Sequence, residues 1–153
     1  MTAIQQSYLK GIGGWLLFLC ISLTIFTPFA ILAAISSTSA FAETIAERFP
    51  YYVRLVTVSQ FIHFGFLCYS VYVGVNLWKT KKGAVNKAQM FFVSYLVFAL
   101  FRVLMPFLGE LPLIVRDQLV DIYGRNALRI FVYALIWHQY LARSVRVKNT
   151  FLS

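Results

Sequence analysis

From Trp15 to Ile35 the chain carries no charged side chain. As a helix rising about 1.5 Å per residue, that run crosses the roughly 30 Å hydrocarbon core of a bilayer. Three more apolar blocks follow at about 55–78, 88–108 and 127–142, the last near the lower length limit for a span and holding Arg129 at its edge. With 60% hydrophobic and only 12% charged residues, the composition does not suit a soluble domain. The predicted fold is an all-α integral membrane protein: one domain over residues 1–153, an antiparallel bundle of four transmembrane helices with a short outer amphipathic helix. Ala40-Phe41-Ala42 imitates a signal-peptide cleavage site. The apolar run before it exceeds the roughly 7–15 residues of a signal sequence, so it is read as a retained first span.

Charge placement orients the spans. All five acids, Glu43, Glu47, Glu110, Asp117 and Asp121, fall in the first and third connections. Lys10, the lysines of the second connection and the basic tail fall on the opposite side. By the positive-inside rule both termini and the lysine loop are cytoplasmic. The formal charge of +9 therefore reflects topology, and nucleic-acid binding is excluded because no soluble basic face remains to carry it. Lys79, Lys81, Lys82, Lys87, Arg143, Arg146 and Lys148 are expected to meet anionic lipids of the cytoplasmic leaflet, at about 1 kcal/mol each.

Each span has its own punctuation. Pro28 leaves the Thr24 carbonyl without its helical donor and predicts a kink. Ser36–Tyr52 reads as a loop closed by Pro50. In the second span Gln60, His63, Ser70 and Gly74 share one helical face, the pattern of a polar helix-packing contact. Residues 109–126 show an apolar stripe through Leu113, Leu119 and Tyr123, which suits a short helix lying on the outer surface. Cys20 and Cys68 lie in different spans with no C-x-x-C spacing and read as small buried packing residues.

Arg102 stands out in the third span. It lies about 9 Å from the outer end of that span at about 1.5 Å per residue, and Pro106 removes the donor for its carbonyl. A guanidinium at that depth needs a partner, water or a route to the headgroups by snorkelling. Arg129 enters from the same side, and Tyr133 follows it one turn on. Two arginines at similar depth require carboxylates or an anion between them. Glu110, Asp117 and Asp121 are the expected ion-pair partners, and an external anionic ligand is the alternative, since guanidinium forks suit carboxylate and phosphate oxygens. No metal site is expected, with the two histidines on different helices and each cysteine alone. No cofactor motif is present: Gly11-Ile12-Gly13-Gly14 has neither a preceding strand nor the Lys-Ser/Thr of a phosphate loop and suits a bend at the membrane surface. No Ser/His/Asp set, paired membrane carboxylates or H-E-x-x-H points to an enzyme.

Gly11-Ile12-Gly13-Gly14-Trp15-Leu16 near the start, and Ile136-Trp137, Tyr140, Ser144 and Arg146-Val147-Lys148-Asn149-Thr150-Phe151 near the end, resemble the hallmarks of the YdgK-like family of small bacterial inner-membrane proteins. That family is catalogued as a domain of unknown function. The resemblance implies a four-helix fold in a bacterial inner membrane and brings no catalytic residues. His138-Gln139 stands where the family pattern has a proline, which predicts a straighter end to span four. The function expected first is a non-enzymatic structural or partner-binding membrane subunit, with a membrane-protein partner or a second copy of the chain. The alternative is binding or transport of a small anionic or amphiphilic molecule through the outer arginine cluster.

Overall fold

The computed structural model describes residues 10–109 and 111–151, the side chain of residue 45 excepted. Among them every regular element is helical. Helix α1 (Trp15–Ile21) runs through a π-helical turn (Ser22–Phe26) into α2 (Thr27–Ile45). Then come α3 (Pro50–Trp78), α4 (Ala84–Leu108), α5 (Leu113–Arg143) and α6 (Val145–Phe151). Three helical stretches are long and apolar enough to cross a membrane: Trp15–Thr44, Pro50–Trp78 and Ala84–Leu108. Helix α5 is not among them, because Arg116, Asp117, Asp121, Arg125 and Arg129 crowd its first half.

One expected loop, Ser36–Tyr52, is largely helix instead. The first helix does not stop at Ile35 but continues through the Ser/Thr run to Ile45. The hydroxyls of Thr38 and Ser39 donate to the carbonyls of Ala34 and Ile35 at 2.6 and 2.9 Å, and that of Thr44 to Phe41 at 2.7 Å. Polar side chains that bond back onto their own helix satisfy themselves without ending it. Pro50 starts α3 as its first residue, where a missing N–H costs nothing, and does not close a surface turn. The separate outer helix is likewise corrected. Residues 113–126 and the expected fourth span form one 31-residue helix, about 46 Å long at about 1.5 Å per residue. No proline interrupts it, and the Asp121–Arg125 pair, one turn apart at 2.7 Å, bridges the point where a break was expected. The stretch at His138-Gln139 is helical without interruption.

The disturbance at Pro28 takes a definite form. The Thr27 N–H bonds the Ser22 carbonyl five residues back, so the next donor in that ladder, for Leu23, would be Pro28, which has none. The Ser70 hydroxyl on α3 fills the place, donating to the Leu23 carbonyl at 2.6 Å. Gly74, one turn further, lets the helices close: a Cβ there would meet the Thr24 methyl at 2.5 Å and the Thr24 backbone nitrogen at 3.3 Å. Gln60 donates to Ser39 at 2.9 Å. The polar stripe on α3 is thus a helix-packing face toward the first helix through Gln60, Ser70 and Gly74, while His63 turns to α4.

Contacts run with rising numbers in one helix against falling numbers in the next. Tyr69 meets Phe91, Phe66 meets Tyr95, and His63 meets Phe98. Apolar side chains form two cores. One, at the end bearing the lysine loop, gathers Leu16, Leu19, Val73, Phe91, Phe92, Trp137 and Val147. The other, at the acidic end, gathers Ala42, Tyr52, Val56, Met105, Leu119 and Tyr123. Cys20 is buried as expected, but Cys68 is exposed on α3, which corrects its reading as a buried packing residue.

The two terminal motifs meet at the lysine end. The Gly11 N–H donates to the Thr150 hydroxyl at 3.0 Å, and Thr150 donates to the Arg146 carbonyl at 2.7 Å. The Arg146 guanidinium covers Gly13, where it would touch any added Cβ. Gly11 and Gly14 hold φ of 90° and 56°, a backbone that favours glycine. Trp15 lies edge-on to Trp137 with ring centroids 6.2 Å apart. The glycine segment is therefore a seat for α6 as well as a bend into the first helix.

Candidate functional site

Between the two cores lies a polar layer centred on Arg102. Helix α4 turns this side chain inward, and only 7% of it is exposed. Nη2 donates to the Thr38 hydroxyl at 3.3 Å, and Nη1 lies 3.4 Å from His63 Nε2. Arginine has no acceptor, so His63 accepts on Nε2 and carries its proton on Nδ1. The guanidinium stacks 4.5 Å from the centre of the Tyr123 ring, a cation–π contact worth about 1–2 kcal/mol when desolvated. The Tyr123 hydroxyl is 3.1 Å from that of Tyr52. The Nε of Arg102 is buried with no hydrogen-bond partner among the described residues. The side chains that contact it, Thr38, His63 and Tyr123, are neutral.

The carboxylates expected to neutralise Arg102 are elsewhere. Asp117 pairs with the half-buried Arg116 at 3.7 Å and Asp121 with Arg125 at 2.7 Å, both carboxylates on the helix surface. The reason is the continuity of α5. Its buried positions Leu119, Tyr123 and Ala127 recur every four residues, and residues two before them fall on the opposite side of a helix. Glu110 lies outside the described residues. Among the described residues, then, the ion-pair cluster expected for Arg102 and Arg129 does not form.

What Arg102 and Arg129 share is a cleft. About 580 Å³ in volume, it lies between α2 and α5, lined by Ala30, Ala33, Ala34 and Ser37 on one side and Asn126, Arg129 and Ile130 on the other, with His63, Tyr95 and Arg102 behind. The alanines make the room: three small side chains at one face of α2 leave a gap where leucines would fill. Arg129 is exposed at the rim. An apolar groove of about 320 Å³ continues from the cleft, sharing Ala30, Tyr95, Arg129 and Ile130 and adding Phe26, Thr27 and Tyr133. Tyr133 does not reach Arg102. Its hydroxyl lies 2.7 Å from that of Ser22 and 3.3 Å from that of Thr27, tying α5 to the π turn at the far end of the groove.

Sequence reasoning singled out Arg102, Arg129 and Tyr133 but missed Thr38, Tyr95, Tyr123, Asn126 and the alanine face. Ala30, Ala33 and Ala34 at helical spacing were the available signal. On the lysine end, Lys79, Lys81, Lys82, Arg143 and Lys148 are exposed. Lys87 instead donates to the Tyr72 hydroxyl at 2.7 Å, and Arg146 lies on Gly13. No group of three or more His, Cys, Asp or Glu side chains able to hold a metal ion occurs among the described residues.

A family model described as a protein of unknown function (DUF2569) matches residues 9–152, which takes in both terminal motifs. No curated protein and no solved structure matches the chain.

Proposed function

The chain belongs to the DUF2569 family of proteins of unknown function, and on that premise we propose that it is a non-enzymatic membrane protein that binds a small anionic or amphiphilic molecule at Arg102 and Arg129. One observation carries the reading. Two guanidinium groups line a single cleft, and among the described residues no carboxylate pairs with either. An uncompensated arginine within a span costs about 2.5–3.5 kcal/mol even with local adjustment. An anion in the cleft offsets that cost with charge-assisted hydrogen bonds. The chemistry favours binding over turnover: the Nε2 of His63 is taken up by Arg102, and the Ser37 hydroxyl donates to the Ala34 carbonyl at 3.2 Å. Neither is poised as base or nucleophile.

In this reading α5 supplies the fourth span through residues 127–142, and its charged first half stands beyond the hydrocarbon. The lysine end faces the cytoplasm of a bacterial inner membrane by the positive-inside rule, with Lys79, Lys81, Lys82, Arg143 and Lys148 against anionic headgroups. Both termini are then cytoplasmic, and the cleft lies in the outer half of the bilayer.

Thermal unfolding of the purified protein in a neutral detergent tests the binding. Dodecyl phosphate below its micelle concentration should raise the midpoint for wild type, because a ligand selective for the folded state adds about 2.7 kcal/mol at a hundredfold excess over Kd. The Arg102→Gln/Arg129→Gln double variant should show no rise. An equal rise in both proteins would sink the reading.

A partner-binding subunit is the second reading, and a different surface favours it. Asn86, Gln89 and Ser94 line a shallow cleft on α4 with Met90 and Val93. Polar side chains on a face otherwise suited to lipid are typical of helix–helix contact. Cysteine cross-linking from position 90 would capture a neighbouring membrane protein or a second copy of the chain.

A further inference from the structure

The cleft and the groove are one surface with two chemistries in order. Arg102 stands in the cleft, Ala30, Arg129 and Ile130 line both parts, and Phe26 and Tyr133 line only the continuation. The order matches a charged headgroup followed by a hydrocarbon chain. The groove also lies open on the side that faces lipid: Phe26 at its edge is 56% exposed and Phe29 beside it on α2 is 68% exposed, so its margins on α2 are apolar and face outward. A molecule dissolved in water would have to cross these apolar margins, whereas one already in the bilayer enters between them. The far end is closed by the hydroxyl contact between Tyr133 and Ser22, so the groove has a floor.

We infer that the ligand is a phosphate-bearing lipid of the outer leaflet, with its phosphate between Arg102 and Arg129 and one acyl chain along the groove toward Tyr133. This rests on the anion-binding reading above and narrows it to one class. Phosphate is favoured over carboxylate by the geometry. The two guanidinium groups come from different helices, α4 and α5. A tetrahedral phosphate presents oxygens to both, whereas a planar carboxylate is suited to a single fork. Arg102 is more than nine-tenths buried, lines the cleft and has no carboxylate partner among the described residues, so an anion that enters meets an uncompensated charge. Arg129, at the rim, meets the headgroup as it enters. A second acyl chain, where the lipid has one, stays in the bilayer between α2 and α5.

The full chain, stripped of lipid in a mild neutral detergent, is mixed in separate arms with dioleoyl phosphatidic acid, dioleoyl phosphatidylcholine, oleate and inorganic phosphate, and bound species are counted by native mass spectrometry. One phosphatidic acid should stay bound to wild type, Arg129→Gln should weaken it at least tenfold, and Arg125→Gln, which removes a charge from the surface of the same helix, should not. Ala30→Phe, which fills the groove, should abolish retention of the lipid. A phosphatidic acid carrying a photoreactive diazirine in its chain should label residues 26–30 and 130–133. Binding of inorganic phosphate or oleate as tight as the lipid's and dependent on Arg129 overturns the lipid assignment and leaves anion binding standing. Binding of phosphatidic acid that Arg129→Gln and Ala30→Phe leave unchanged overturns the assignment of either to this cleft.

Discussion

Single side chains in this molecule settle backbone and charge problems that the helices create. The Leu23 carbonyl is the clearest case, since its donor is a proline and its partner is a hydroxyl on another helix. Ser70→Ala should cost about 1 kcal/mol, the usual scale for an interhelical hydrogen bond of this kind. The cost should shrink in a Pro28→Ala background, where a backbone N–H returns. Unfolding free energies of the four proteins of that cycle, measured in mixed micelles, give the coupling directly. Additive effects would mean that Ser70 acts only by packing. Arg102 poses the opposite problem, because its surroundings offer a hydroxyl, an imidazole and a ring face but, among the described residues, no carboxylate partner. Its presence in an apolar run was plain from the sequence. Its lack of a carboxylate was not, because that depends on which way Asp117 and Asp121 turn around α5.

At the scale of the helix, hydropathy found the elements and misplaced their ends. A block of apolar residues is a sum over many positions, so the first three spans stand out whatever the packing. Ends depend on single residues. The hydroxyls of Thr38 and Ser39 read as loop chemistry, yet they bond within α2. Pro50 reads as a stop, yet it begins α3. The cleft escaped notice for a related reason: Ala30, Ala33 and Ala34 mark a void only once α5 stands opposite them. Glycines show the same dependence on neighbours. Gly74 and Gly65 both lie inside α3, but only Gly74 has a helix against it. Gly74→Ala should therefore destabilise by about 1–3 kcal/mol, the range for overpacking. Gly65→Ala should be neutral or stabilise by up to about 1 kcal/mol through helix propensity. Equal effects in the same unfolding assay would contradict the close approach to Thr24.

The described molecule is two apolar cores with a polar layer between them, and its lysines gather at one end and its carboxylates at the other. That sorting makes a topological prediction. In a chain with Cys20 and Cys68 replaced by alanine, a cysteine at Glu47 should react with a membrane-impermeant maleimide in intact cells. One at Lys81 or Lys148 should react only after permeabilisation. Labelling of Glu47 and Lys148 from the same side would mean that α5 does not cross.

The clasp between Gly11 and Thr150 has a temporal consequence. These residues are 139 positions apart, and a ribosome makes the first long before the second. The first helix can enter the bilayer early, but its glycine entrance has nothing to hold until the closing helix emerges. Contacts so distant in sequence are slow to form because a long loop must close first. The nascent chain therefore passes through a stage in which its long helices are already made while Gly11 and Thr150 are still unjoined.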